Sequence, residues 1–169
     1  MKKIGLILVA ALALSSCQKQ KFGFVNNTKV INEVNFKKDL ETKFTAREEK
    51  LNKKADSLGR SFQEEVKVAS ELAATLKSES RIQELSQNLQ QKNDNLSRML
   101  QGEKQQLANE YRTEVDSLIS NVKKFVKEYG KSNGYDYIFG TSDNTASVMY
   151  GPEGEDLTEE IIKKFNEKK

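Results

Sequence analysis

The chain has 169 residues, of which 36% are hydrophobic, 31% charged and 8% aromatic, with one Pro, one Cys, no Trp and no His. That length suits one ordinary domain, but the apolar share lies below the roughly 45–50% of a globular domain, so a single large core is not expected. The missing His and the lone Cys exclude the commonest general base, the commonest zinc ligand, internal disulfides and multi-thiolate sites, and Lys+Arg 28 against Asp+Glu 25, well mixed, opposes strong nucleic-acid binding.

Lys2 and Lys3 precede an uncharged apolar run from Ile4 to Leu14, followed by Ser15-Ser16-Cys17. A basic start, a short apolar stretch and small residues before the cut describe a secretory signal over 1–16. The run is well short of the ~20 residues that span a bilayer. Small residues ending in Cys resemble a bacterial lipobox, in which Cys17 is acylated and becomes the first mature residue. The competing reading is an ordinary signal peptide with a chance Cys. Acylation is favoured because the only Cys stands where that processing needs it.

Phe22-Gly23-Phe24-Val25 reads as a strand ending at Asn26-Asn27, and Thr28–Val34 as a short helix. From Phe36 to Tyr129 there is no Pro, and Gly occurs only at 59 and 102. Apolar residues recur at spacings of three and four, from Phe36, Leu40 and Phe44 through Leu51, Leu58 and Phe62 to Leu118, Val122 and Phe125. This is an amphipathic helix with a coiled-coil-like seam, far longer than the ~25 residues at which a hairpin or coiled coil is expected. Folding back at Lys77-Ser78-Glu79-Ser80 sets Phe44 opposite Leu118, Leu51 opposite Tyr111, and Gly59 level with Gly102. The two glycines read either as independent helix-weakening residues, which is favoured, or as a joint or close-approach point halfway along the arms.

After Gly130 and Gly134, Tyr135-Asp136-Tyr137-Ile138-Phe139 alternates as a strand, and Ala146, Val148 and Tyr150 mark one face of another. Asp156–Glu160 supplies helix-start chemistry for Ile161–Asn166. The expected fold is therefore α+β. A long antiparallel helical hairpin over 36–129, with its tip near 77–80, is inserted in a small β-rich body made of 17–35 and 130–169. So small a body, with open strand edges, is expected to associate with copies of itself. Adjacent acidic pairs such as Glu48/Glu49 and Glu64/Glu65 point to different helix faces and make neither acid–base pairs nor a metal site. No catalytic constellation and no cofactor site are expected, and no Walker-type loop is present.

The flanking segments resemble the Skp/OmpH family of periplasmic chaperones. The matching residues are Phe22-Gly23-Phe24-Val25-Asn26, Lys29-Val30-Ile31, Gly134-Tyr135-Asp136-Tyr137-Ile138-Phe139, Val148-Met149-Tyr150-Gly151 and Asp156–Ile162. The resemblance implies a homotrimer whose strands build a central body. It also implies tentacle-like hairpins around a cavity that holds unfolded outer-membrane proteins without ATP. Two departures stand out. Cys17 predicts a lipid anchor, whereas the family's well-known members are soluble, and residues 36–132 carry 19 basic against 16 acidic groups, only weakly positive.

Holding an unfolded chain needs apolar surface that tolerates many sequences, with charge aiding capture. Val66–Leu76 is apolar over more than one seam, so Val66, Val68, Ala73, Ala74, Ile82 and Met99 are candidate client contacts. Close packing of the tip is the competing reading and is narrowly ahead. Lys67, Lys77, Arg81, Lys92 and Arg98 are candidate capture cations, although a solvated face accounts for each more simply. The expected function is an ATP-independent holdase for unfolded envelope proteins, anchored by lipid, facing the periplasm and neither enzymatic nor nucleic-acid binding. The alternative is a coiled-coil spacer or adaptor lipoprotein for one folded partner. Gln18 is not the Asp linked to inner-membrane retention in some bacteria, which points to the outer membrane.

Overall fold

The computed structural model describes residues 20–142 and 147–168. Strand β1 (Phe22–Asn26) leads into helix α1 (Asn27–Glu33), then helices α2 (Asn35–Thr75) and α3 (Glu79–Ser132), strand β2 (Tyr137–Thr141) and helix α4 (Thr158–Glu167). One turn of 3-10 helix, Glu153–Glu155, precedes α4. The signal segment and Cys17 lie outside the described residues. The chain divides into two compact units, one ending at Val34 and resuming at Ile119, the other running Asn35–Leu118.

In the first unit β1 and β2 pair in parallel, with Phe22 opposite Tyr137, Phe24 opposite Phe139 and Asn26 opposite Thr141. Alternation sends Gly23 and Val25 inward, and the core is completed by Val30, Val34, Leu157 and Ile161, all at most 3% exposed except that Gly23 has no side chain to count. Polar groups at the joints are satisfied locally. The Asn26 side chain accepts the Lys29 N–H at 3.0 Å and so caps α1. Asp156 accepts the Thr158 N–H at 2.9 Å at the start of α4, the helix-start chemistry read from the sequence. At the other end of α3, Gly134 takes φ +69°, and the Tyr135 N–H donates back to the Gly130 carbonyl at 2.9 Å.

The far edge of β1 is partly closed, because the Leu157 N–H donates to the Phe24 carbonyl at 2.9 Å. Residues 147–150 do not form the expected strand, and Ala146 lies outside the described residues. The physical reason is visible in their exposure: Met149 and Tyr150 are 89% and 88% exposed, so the alternating face has nothing to pack on among the described residues. The second strand also starts later than the alternation suggested, at Tyr137, because Tyr135 is used in the turn that ends α3.

In the second unit α2 and the first part of α3 form an antiparallel hairpin. The 41 residues of α2 span about 60 Å at 1.5 Å per residue. The break covers residues 76–78, and Glu79-Ser80, expected in the tip, form the first turn of α3. Register also differs from the mirror expectation. Phe44 packs edge-on against Tyr111 with ring centroids 5.2 Å apart, where Leu118 was expected. Interhelical ion pairs join Lys43 to Glu114, Arg47 to Glu110, Lys54 to Glu103 and Glu65 to Lys92. The return helix is thus shifted by one to two turns. A seam that repeats every three or four residues permits either register, and the charged flanks and the loop decide. Beyond their own stretch of helix backbone, Gly59 and Gly102 have no atom within 4 Å of where a side chain would begin, so neither is a close-approach point.

Candidate functional site

The arm is apolar in two different ways along its length. Near its start Leu40, Phe44, Leu51 and Leu118 are buried. Between Leu51 and Leu118 the only buried residue is Ala69, while the seam leucines 58, 76, 85, 89, 96, 100 and 107 are all partly open to solvent. Two helices side by side cannot cover each other's apolar stripe completely, and the distal stripe is wider than a seam. The result is a partly uncovered aliphatic band rather than a closed core.

Of the expected client contacts, Val66, Val68 and Met99 are 40%, 61% and 39% exposed. Ala74 is also exposed, whereas Ala73 and Ile82 are half-buried. Leu72, in the same apolar stretch but outside the expected contacts, is 50% exposed. It lies one turn beyond Val68 on the same helix face, so Val68 and Leu72 make a contiguous pair. The seven apolar residues within 66–76 were the signal that could have found it.

The candidate cations divide. Lys67, Lys77 and Arg81 are exposed, with no ion-pair partner among the described residues. Lys92 is engaged by the Glu65 carboxylate. The Arg98 guanidinium donates to Asn95 Oδ1 at 3.1 Å and to the Asp94 carbonyl at 3.3 Å, which leaves it cationic but held to its own helix.

A second feature, which sequence reasoning missed, lies at the start of the hairpin. Phe36, expected to open the seam, is 47% exposed, and Lys37 is 9% exposed in its place. Both residues stand three or four positions from Leu40, so apolar spacing alone favours Phe36. Lys37 prevails because its ammonium bonds the Glu41 carboxylate and donates to the Tyr111 hydroxyl at 2.7 Å. The Glu41 bond above all, with Tyr111 second, holds Lys37 above its ordinary pKa despite burial. Next to it, Phe44, Leu51, Leu107, Ala108 and Tyr111 line an open groove of about 360 Å³.

Among the described residues no group of three or more His, Cys, Asp or Glu could hold a metal ion, and no helix is long and apolar enough to cross a membrane. The side chains of the hairpin offer a ragged, partly uncovered aliphatic band with scattered cations, and the other unit is a small α+β core. These elements define a protein of long paired helices with a small two-stranded sheet.

The chain belongs to the family of OmpH-like outer membrane proteins, whose sequence profile matches residues 21–165, as the flanking motifs implied. Among solved structures it is similar to a Caulobacter crescentus protein described as a candidate outer membrane chaperone, OmpH-like. That match has a TM-score of 0.77 at 9% identity and covers 90% of this chain and 87% of that one. No curated protein sequence matches the chain.

Proposed function

We propose that this chain is an ATP-independent holdase that shields unfolded outer-membrane proteins in the periplasm. It works as a homotrimer tethered to the outer membrane by acylated Cys17. The observation that carries this reading is the exposed distal band, above all Val68 and Leu72 at 61% and 50%. A spacer needs only a seam and gains nothing from open aliphatic side chains near the tip, whereas a holder of many sequences needs just such non-directional surface. Membership in the OmpH-like family and the description of the Caulobacter relative as a candidate chaperone support the same reading. Client contacts are assigned to Val66, Val68, Ala74 and Met99 together with Leu72, while Ala73 and Ile82 contribute at the margin of the band. Electrostatic capture is assigned to Lys67, Lys77 and Arg81, with Arg98 secondary. Lys92 is the weakest of the five while Glu65 holds it.

The test dilutes a urea-unfolded outer-membrane β-barrel into the soluble chain beginning at Gln18, which retains every described residue, and follows light scattering. The chain is expected to suppress aggregation. Val68→Gln combined with Leu72→Gln is expected to weaken suppression severalfold with helix content unchanged, because Gln is a good helix former. No suppression by the unaltered chain would refute the holdase and leave the spacer.

A further inference from the structure

The last turns of α3 differ from the rest of that helix. Elsewhere its acidic and basic residues are interspersed, but over residues 117–132 the only acid is Glu128 against four lysines. The Glu128 carboxylate is itself taken, accepting a hydrogen bond from Lys168 Nζ at 2.9 Å. Lys123, Lys127 and Lys131 recur every four residues and so share one helix face. None of the three has an ion-pair partner among the described residues, and all three line one cleft of about 410 Å³, walled by Tyr135 and Ile138.

The cleft's one carboxylate does not balance them. Asp136 Oδ2 is occupied by the backbone N–H of Lys21 at 2.7 Å. Lys21 in turn adds a fourth cation, its Nζ 4.0 Å above the Tyr135 ring and donating to the Asn133 carbonyl at 3.0 Å. Uncompensated like charges along one helix face cost stability and call for an anionic partner.

Chain length identifies the partner. Lys21 is pinned at this cleft and stands four residues after Cys17. Four extended residues reach about 14 Å at most. An acyl chain on Cys17 would therefore hold the bilayer surface close to the lysine stripe, within a Debye length or two of it.

We infer that Lys123, Lys127 and Lys131, with Lys21 and Tyr135 beside them, form a membrane-facing surface that docks on the phosphates of anionic phospholipids. Acylation then supplies one attachment signal and the stripe a second, which fixes which side of the small unit faces the bilayer. The choice of partner rests on the proposed anchor at Cys17, whereas the stripe itself does not.

The test measures co-flotation of the soluble chain beginning at Gln18 with vesicles of phosphatidylglycerol and phosphatidylcholine, against phosphatidylcholine alone. The chain is expected to bind only the anionic vesicles and to be released by salt. Replacing all three stripe lysines by Gln (K123Q, K127Q, K131Q) should lower partitioning on the order of a hundredfold, and Lys127→Gln alone by about fivefold. A control of equal net charge, K50Q with K53Q and R60Q, should leave binding within about twofold, since those residues are not part of the stripe. Equal loss in the control, or no binding to anionic vesicles, overturns the stripe. If the acylated chain still enters vesicles while the soluble chain ignores anionic ones, the stripe falls and the anchor stands.

Discussion

At Gly23 the backbone of β1 passes so near the residue that precedes α4 that an added methyl group would stand 2.5 Å from Leu157 Cδ1 and 3.2 Å from a Tyr135 ring carbon. Leu157 is buried, so it has little room to yield. Gly23→Ala is expected to cost about 1–3 kcal/mol as overpacking, seen as a lower Tm in thermal unfolding. Gly59 and Gly102 present the opposite case, being helical with nothing beyond their own helix backbone within 4 Å. Replacing each by Ala should stabilise the arm by up to about 1 kcal/mol and raise its Tm. The same two variants test the joint reading: undiminished aggregation suppression alongside the higher Tm would dispose of it. Glycine frequency and spacing were legible in the sequence, but their meaning was not. What separates the three positions is the neighbour that a side chain would meet, and that neighbour lies more than a hundred residues away for Gly23.

Among the elements, the hairpin shows where sequence periodicity stops being informative. Helix, seam and approximate fold-back were all legible, because 3.6-residue periodicity and the absence of Pro leave few alternatives. Register was not, since sliding one helix by a turn returns an equivalent seam. The discriminating contacts are charged and lateral: Arg47 Nη1 donates to Glu110 Oε2 at 2.6 Å, and Gln106 Nε2 donates to the other carboxylate oxygen at 2.9 Å. Exchanging the charges (Arg47→Glu with Glu110→Arg) should restore the Tm lost in Arg47→Glu alone. Pairing Arg47→Glu with Glu114→Arg, which suits the fold-back that sets Phe44 opposite Leu118, should not. Acid offers an independent check. The Arg47 guanidinium foremost, with Gln106, holds Glu110 below its ordinary value of 4.5. The folded pKa is therefore the lower one, so the pair's contribution is complete above pH 4.5 and disappears as pH falls through the lowered value. Melting temperature should drop on acidification, and Glu110→Gln should drop less over the same interval. Glu128, held down by Lys168, has the same sign in the other unit.

For the whole molecule the decisive surface is the outer face of the two-stranded sheet. The aromatics of Tyr135–Phe139 were legible as a strand face, but their exposure was not, because a sequence gives alternation without saying whether a second layer covers it. Phe22, Tyr137 and Phe139 stack with centroids 5.9–6.3 Å apart and remain 36%, 57% and 47% exposed. Aromatic side chains of 150–250 Å² each make this a patch of several hundred Å² when half open, near the limit that monomers leave bare. Among the described residues two strands form the sheet, and Met149-Tyr150 is almost wholly exposed. A second and third copy would bury the rings and supply further strands, and each copy would add an arm. Holding also gains from number: one weakly charged arm offers few contacts to an unfolded chain, whereas several held together raise the effective concentration of apolar surface around it. On the proposed function, association through the sheet and holding by the arms would therefore be coupled. Light scattering of the chain from Gln18 is expected to give three chain masses. Tyr137→Glu with Phe139→Glu should return one chain mass, lower the Tm of the small unit and abolish aggregation suppression while the arm's helix content is kept. Two chain masses for the unaltered protein would point to a face-to-face dimer, and a monomer that still suppresses aggregation would separate holding from assembly.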